Sequence, residues 1–314
     1  MSSKTKKLTF AQKVSKHKQL IPFIIPAILF ALLFCYLPMA GIVIAFKDNP
    51  NFMRYDSVFE ALANADWTLD HFKMIFSDPQ ISKVVRNTLI ISIMKIVILF
   101  PLPVFLAVMI TELRSQKFSK LVQGLVFLPH FFSWVVIVGI FNSLFGLYGP
   151  INSIVEALGG TPTHFMGEPL WFRWLVVILS GWKEIGYSSI VYIAAIMSID
   201  PSLYEAAKID GASKLKQIWS ITIPSILPTI IVMLIIRIGY LMDAGFEQVY
   251  AMLNPNTQAT GEIIGTYVYK LGLGYAKNDY GLSTAVGLVN GLISMALILG
   301  ANYISKKKTG SGVW

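Results

Sequence analysis

Little in this chain is arranged for covalent chemistry. The four histidines, His17, His71, His130 and His164, do not fall at metal-ligand spacing, and no nucleophile elbow is present. No Gly is followed directly by Lys, so the phosphate-cradling loop GxxxxGK[ST] is missing. Cys35 is the only cysteine, which excludes a disulfide and a thiolate cluster, and Leu32-Leu33-Phe34 before it lacks the small residue expected ahead of a lipidated cysteine. Six charges set inside apolar stretches stand out instead: Lys95, Lys183, Glu184, Arg237, Asp243 and Glu247. Charges in such surroundings are expensive, and they mark either a path for a polar solute or structural ion pairs.

Two groups of residues around these charges repeat at helical spacing. Ser180, Glu184 and Tyr187 stand at i, i+4 and i+7, and Arg237, Tyr240, Leu241 and Ala244 at i, i+3, i+4 and i+7. Together they offer aromatic faces and fixed hydrogen-bonding partners, a set suited to a sugar. Packing between helices is the competing account of Tyr187 and Tyr240.

The elements that must carry these residues are membrane spans. The 314 residues have a mean hydropathy of +0.63 and are 55% hydrophobic, too apolar for a soluble domain of this size. Six stretches approach or exceed the roughly 20 residues a spanning helix needs: 20–46, 88–113, 121–147, 170–199, 224–249 and 282–304. The chain is therefore expected to be an all-α integral membrane protein with six transmembrane helices. Lys and Arg number 15 on one set of flanks, including Lys4, Lys18, Arg114, Lys208 and Lys306, against 7 on the other, among them Lys47, Arg86, Lys270 and Lys277. Positive flanks face the cytosol, so both termini are expected there. The same bias accounts for most of the net charge of +9, and no nucleic-acid surface is expected. The first apolar run is too long for a signal-peptide core and lacks a cleavage site.

Between the first two spans, mixed charges with Trp67, Phe72 and Phe76 predict short amphipathic helices forming an extracellular cap. The segment 200–223 predicts a helical knob on the cytosolic side. Asp200 can cap a helix with Pro201 at its first position, and Leu203, Ala206 and Ala207 make an apolar stripe. Gly211 should end that helix, and a second short one carrying Leu215, Ile218 and Trp219 should follow before Pro224 opens the next span.

Within this knob, Glu205-Ala206-Ala207, three residues, Gly211, nine residues and Ile221-Thr222-Ile223-Pro224 resemble the EAA signature of binding-protein-dependent ABC permeases, EAA-x3-G-x9-I-x-L-P. Ile223 stands where leucine is usual, and Asp210-Gly211-Ala212 extends the likeness. The stretches YLPMAGIVIAFKD, GWKEIGYSSIVYIAAI, FEQVYAMLNPNT and GEIIGTYVYKLG resemble the maltose-type branch that imports oligosaccharides and polysaccharide fragments. The resemblance implies the type I importer permease fold in a bacterial plasma membrane. It also implies a second, different permease as partner, two ATPase subunits that hold ATP and Mg, and an extracellular binding protein that delivers substrate. This chain would bind no cofactor. Glu205, Ala206, Ala207, Asp210, Gly211, Ile221 and Pro224 would couple it to the ATPase, and the two groups around Glu184 and Arg237 would line the substrate path.

The expected organisation is a basic cytosolic arm over 1–19, the first span and cap over 20–86, a core of five spans with the coupling loop over 87–305, and a cytosolic tail over 306–314. A passive channel or secondary transporter would explain the spans and charges but not the knob, and a membrane enzyme would need a catalytic constellation the chain lacks.

Overall fold

In a bilayer every backbone polar group must find its partner inside the protein, so a chain this apolar folds as helices and breaks them only where something else bonds the freed groups. The structure, a computed structural model, describes residues 21–48, 50, 52, 54–274 and 278–313. The basic arm over 1–19, Leu20, Lys277 and Trp314 lie outside the described residues.

Fourteen helices in chain order make up the described chain: α1 (Pro22–Phe46), α2 (Val58–Asn64), α3 (Asp70–Ser77), α4 (Pro79–Thr111), α5 (Gln116–Phe127), α6 (Trp134–Phe145), α7 (Pro150–Ala157), α8 (Pro169–Met197), α9 (Pro201–Ile209), α10 (Lys214–Gly239), α11 (Phe246–Met252), α12 (Gln258–Gly261), α13 (Ile264–Leu273) and α14 (Tyr280–Thr309). Five segments among the described residues are long and apolar enough to cross a membrane, and six if α8 and α9, bent by 69° where they meet, are counted as one span. The short helices expected between the first two spans are α2 and α3, the latter followed directly by Asp78, whose carboxylate accepts the Gln80 N–H at 2.7 Å and opens α4.

The core lies where α4, α6, α8 and α11 meet, around Ile91, Ile137, Phe141, Phe172, Leu175, Leu179 and Val249. Close approach of helices rests on small residues. A Cβ on Gly186 of α8 would collide with the Val126 carbonyl of α5, so only glycine lets these two backbones touch. A polar network ties the far end of the bundle together. Arg173 donates to Asn87 at 2.9 Å and to the Thr260 carbonyl at 3.0 Å, while the buried Glu262 accepts from Gln80 and Lys270, both at 2.7 Å. By contrast α1 buries none of its most apolar stretch, and only its last turns, Ala40–Phe46, pack on α14.

Three of the long helices contain a wide π turn, at Leu32–Tyr36, Lys95–Leu99 and Ile218–Thr222. Each ends two residues before a proline, Pro38, Pro101 and Pro224 respectively. A proline ring strikes the carbonyl four residues back and has no N–H to offer it. Those carbonyls belong to Phe34, Val97 and Ser220, the middle residues of the three wide turns, where the extra residue turns them aside. The expectation that Pro224 opens a new helix is corrected accordingly: α10 runs unbroken from Lys214 through Pro224 to Gly239.

Two expected spans are broken. The stretch 121–147 divides into α5 and α6 around a 3-10 turn at Leu128–Phe131, and Ser133 accepts the Val136 N–H at 3.3 Å to start α6. The apolar run continues through Pro129 and hides the break from a hydropathy reading. The stretch 224–249 divides at Gly239, with Gly245 at φ +94° before α11.

Candidate functional site

Two structures follow one another along α8, α9 and α10: the exposed knob and a cavity inside the bundle. Asp200 accepts the Ser202 N–H at 2.9 Å, capping α9, and this bond holds its carboxyl below the usual carboxylate range. At the other end Gly211 adopts φ +74°, its N–H reaching the Lys208 carbonyl at 3.1 Å while the Ala212 N–H reaches that of Ala207 at 2.9 Å. This is a Schellman close, which a Cβ at Gly211 would strain. The buried Gln217 donates to the Ala212 carbonyl at 2.9 Å, and the Tyr204 and Thr222 hydroxyls bond at 2.9 Å, fastening α9 to α10. Lys214 pairs with Glu112 at 2.6 Å, linking the knob to the end of α4.

Of the expected coupling residues, Glu205, Ala206, Asp210 and Gly211 lie on the exposed side, Ala207 is half-buried, and Ile221 and Pro224 fall in and just after the π turn of α10. Ile209, Leu215 and Trp219 are 88%, 70% and 71% exposed, an apolar surface that the knob presents outward.

The cavity, of about 190 Å³, lies between α4, α8 and α10. Leu99, Phe100 and Pro103 form one wall, Glu184, Ser188 and Tyr192 a second, and Met233, Arg237 and Tyr240 a third. Arg237 and Glu184 face each other at 4.0 Å, both 35% exposed. The cavity thus presents a cation, a carboxylate, a hydroxyl and two phenols within otherwise apolar walls.

Only three of the seven expected path residues therefore share this cavity: Glu184, Arg237 and Tyr240. Ser180 is fully buried and donates to Gln248 at 2.7 Å. Tyr187, a turn further along, stacks on His130 with ring centroids 3.7 Å apart and planes within 3°. Ser180, Glu184 and Tyr187 thus meet three different partners along α8. The expected shared face of Arg237, Tyr240, Leu241 and Ala244 is corrected, because α10 ends at Gly239 and Ala244 turns into the core beside Val249.

Among the described residues, Lys95 and Lys183 form no ion pair with a carboxylate within 4 Å. Lys183 donates to the carbonyls of His130, at 2.8 Å, and Phe132, both freed by the α5–α6 break, and lies 5.3 Å from the Trp134 ring. Lys95 donates at 2.8 Å to the Ala244 carbonyl and at 2.8 Å to Gln248 Oε1, in the α10–α11 break. Gln248, missed by the sequence reading, is fully buried and also donates to the Val176 carbonyl at 2.7 Å. Its identity as an uncharged polar residue in an apolar run is the one signal that could have found it.

Comparison with known proteins agrees with this architecture. Residues 86–309 match the family described as binding-protein-dependent transport system inner membrane component. The chain is 39% identical over 313 residues to the polygalacturonan/rhamnogalacturonan transport system permease protein YteP of Bacillus subtilis, covering 99% of this chain and 95% of that one. It is 37% identical to protein LplB of the same organism, covering 98% and 95%. A chain from the crystal structure of a bacterial ABC transporter involved in the import of the acidic polysaccharide alginate superposes with a TM-score of 0.85 at 36% identity, covering 95% of this chain and 98% of that one. The chain belongs to the inner-membrane components of binding-protein-dependent transport systems, as a permease subunit of an ABC importer.

Proposed function

We infer that this permease passes fragments of an acidic polysaccharide, delivered by an extracellular binding protein, through a path that includes the cavity between α4, α8 and α10. The observation that carries this reading is the meeting of Arg237, Glu184 and Tyr240 in one cavity. Arg237 offers a fork for a sugar carboxylate, Glu184 accepts from hydroxyls, and Tyr240 offers a stacking face. The relatives named for polygalacturonan, rhamnogalacturonan and alginate transport support an anionic sugar chain as the solute.

In this reading both termini and the knob are cytosolic, the α2–α3 cap is extracellular, and the boundaries 1–19, 20–86, 87–305 and 306–314 separate arm, cap, core and tail. Glu205, Ala206, Ala207, Asp210, Gly211, Ile221 and Pro224 couple the chain to an ATPase subunit. Hydrolysis of ATP with Mg takes place on two such subunits, and a second permease completes the passage. Small residues and the outward apolar surface of Ile209, Leu215 and Trp219 suit docking into a cleft.

The test is uptake of labelled oligogalacturonides into proteoliposomes containing the full complex. Arg237→Gln should reduce uptake of the anionic sugar more than that of a neutral oligosaccharide of equal length. Tyr240→Ala should weaken uptake roughly fivefold, the equivalent of about 1 kcal/mol for one lost aromatic contact. Tyr187→Ala should cost less, since that ring is stacked on His130 outside the cavity. Glu205→Lys and Gly211→Pro should leave insertion intact while lowering ATPase association. Equal loss for charged and neutral sugars in Arg237→Gln removes the acidic-substrate reading.

A further inference from the structure

Lys95 is 5% exposed, and among the described residues it forms no ion pair within 4 Å. A buried cation satisfied only by neutral acceptors is costly to keep, and an apolar residue of similar volume would remove that cost. Its placement gives the reason. Lys95 opens the π turn Lys95–Leu99, and the same turn sends Leu99 and Phe100 to one wall of the cavity. The ammonium reaches across to Ala244 and Gln248, which follow directly on the wall that carries Arg237 and Tyr240. Gln248 in turn is held by Ser180 and by the Val176 carbonyl, both on α8, the helix of the remaining wall. One ammonium thus joins all three walls at the point where α10 is interrupted. Gly245, at φ +94°, leaves room for it, since a Cβ there would stand 3.0 Å from Nζ.

We propose that Lys95 is a positioning residue for transport: a clasp, made with Ala244 and Gln248, that ties the α4 wall of the cavity to the α10–α11 break and sets how open the cavity is. The contact to Gln248 is made between two side chains, so breaking it leaves every helical backbone bond in place. The proposal rests on reading the cavity as part of the passage, and the test separates the two.

The full complex is prepared with Cys35→Ala and with Ser188→Cys as a reporter on the cavity wall. Two quantities are measured per assembled complex: the rate of maleimide labelling at position 188 and the rate of oligosaccharide uptake. Lys95→Met should raise labelling at least about fivefold and lower uptake at least about tenfold, because it removes both clasp bonds while keeping side-chain length. Lys95→Arg, which keeps a cation and its N–H donors, should stay within about threefold on both. A residue that served only folding would change the amount of complex and leave both per-complex rates alone. Labelling within about twofold of the parent in Lys95→Met overturns the clasp. A labelling change with normal uptake keeps the clasp and overturns the cavity as passage. If Lys95→Met does not assemble, Gln248→Met is measured by the same two rates, and unchanged labelling in it likewise overturns the proposal.

Discussion

The two interruptions of the bundle are bridged by the same kind of residue in different ways. At the α5–α6 break Lys183 spends its donors on two main-chain carbonyls, His130 and Phe132, with the Trp134 ring alongside. At the α10–α11 break Lys95 bonds one main-chain carbonyl and one amide side chain, and that amide has two further partners of its own. At the first break the ammonium's hydrogen bonds grip main chain only. The second depends on a side chain that is held from elsewhere as well. A cation can therefore serve as a permanent plug or as a releasable tie, depending on what it grips.

The largest expected effect separates these roles. Lys183→Met strands two carbonyls in apolar surroundings, at about 1–3 kcal/mol each, whereas Lys95→Met strands one. Immunoblots of membranes should show Lys183→Met depleted well below Lys95→Met. Equal abundance would break the distinction between plug and tie. Next, Gly245→Ala forces a left-handed residue against the Lys95 ammonium and should cost about 1–2 kcal/mol from backbone strain alone. At the first break Ser133→Ala removes the α6 cap and should cost about 1 kcal/mol. The order of the two should appear in the melting temperatures of the solubilised complex, and a reversed order would move the strain to the first break. The smallest effect belongs to Ser180→Ala, which removes one of several bonds on Gln248 and should cost about 0.5–1.5 kcal/mol. A cost larger than that of Gly245→Ala would show that Ser180, and not Lys95, sets Gln248.

The knob was legible in the sequence because its determinants are local. Asp200 caps two residues on, Gly211 closes the turn that precedes it, and the spacing to Pro224 is a matter of counting. The spans were legible as apolar runs, but their interruptions were not. A hydropathy reading passes through Leu128–Phe132 without change, and it carries α10 past Gly239 although Gly239 and Gly245 bracket the stop. The cavity was half legible. Helical spacing found Glu184, Arg237 and Tyr240, but the wall from α4 and the grip of Lys95 on Ala244, 149 residues away, depend on tertiary packing that spacing cannot express.

The π turn at Ile218–Thr222 has a mechanical meaning. Lys214–Gly239 is one continuous rod with the second half of the knob at one end and Arg237 at the other. A single residue inserted in a helix rotates everything beyond it by about 100° about the axis. The wide turn therefore sets the angular phase between the exposed apolar face of the knob and the cavity-facing side of the rod, and Pro224 keeps that phase from relaxing. Deleting one residue from Ile218–Thr222 would leave both ends folded and aim them in directions that no longer correspond.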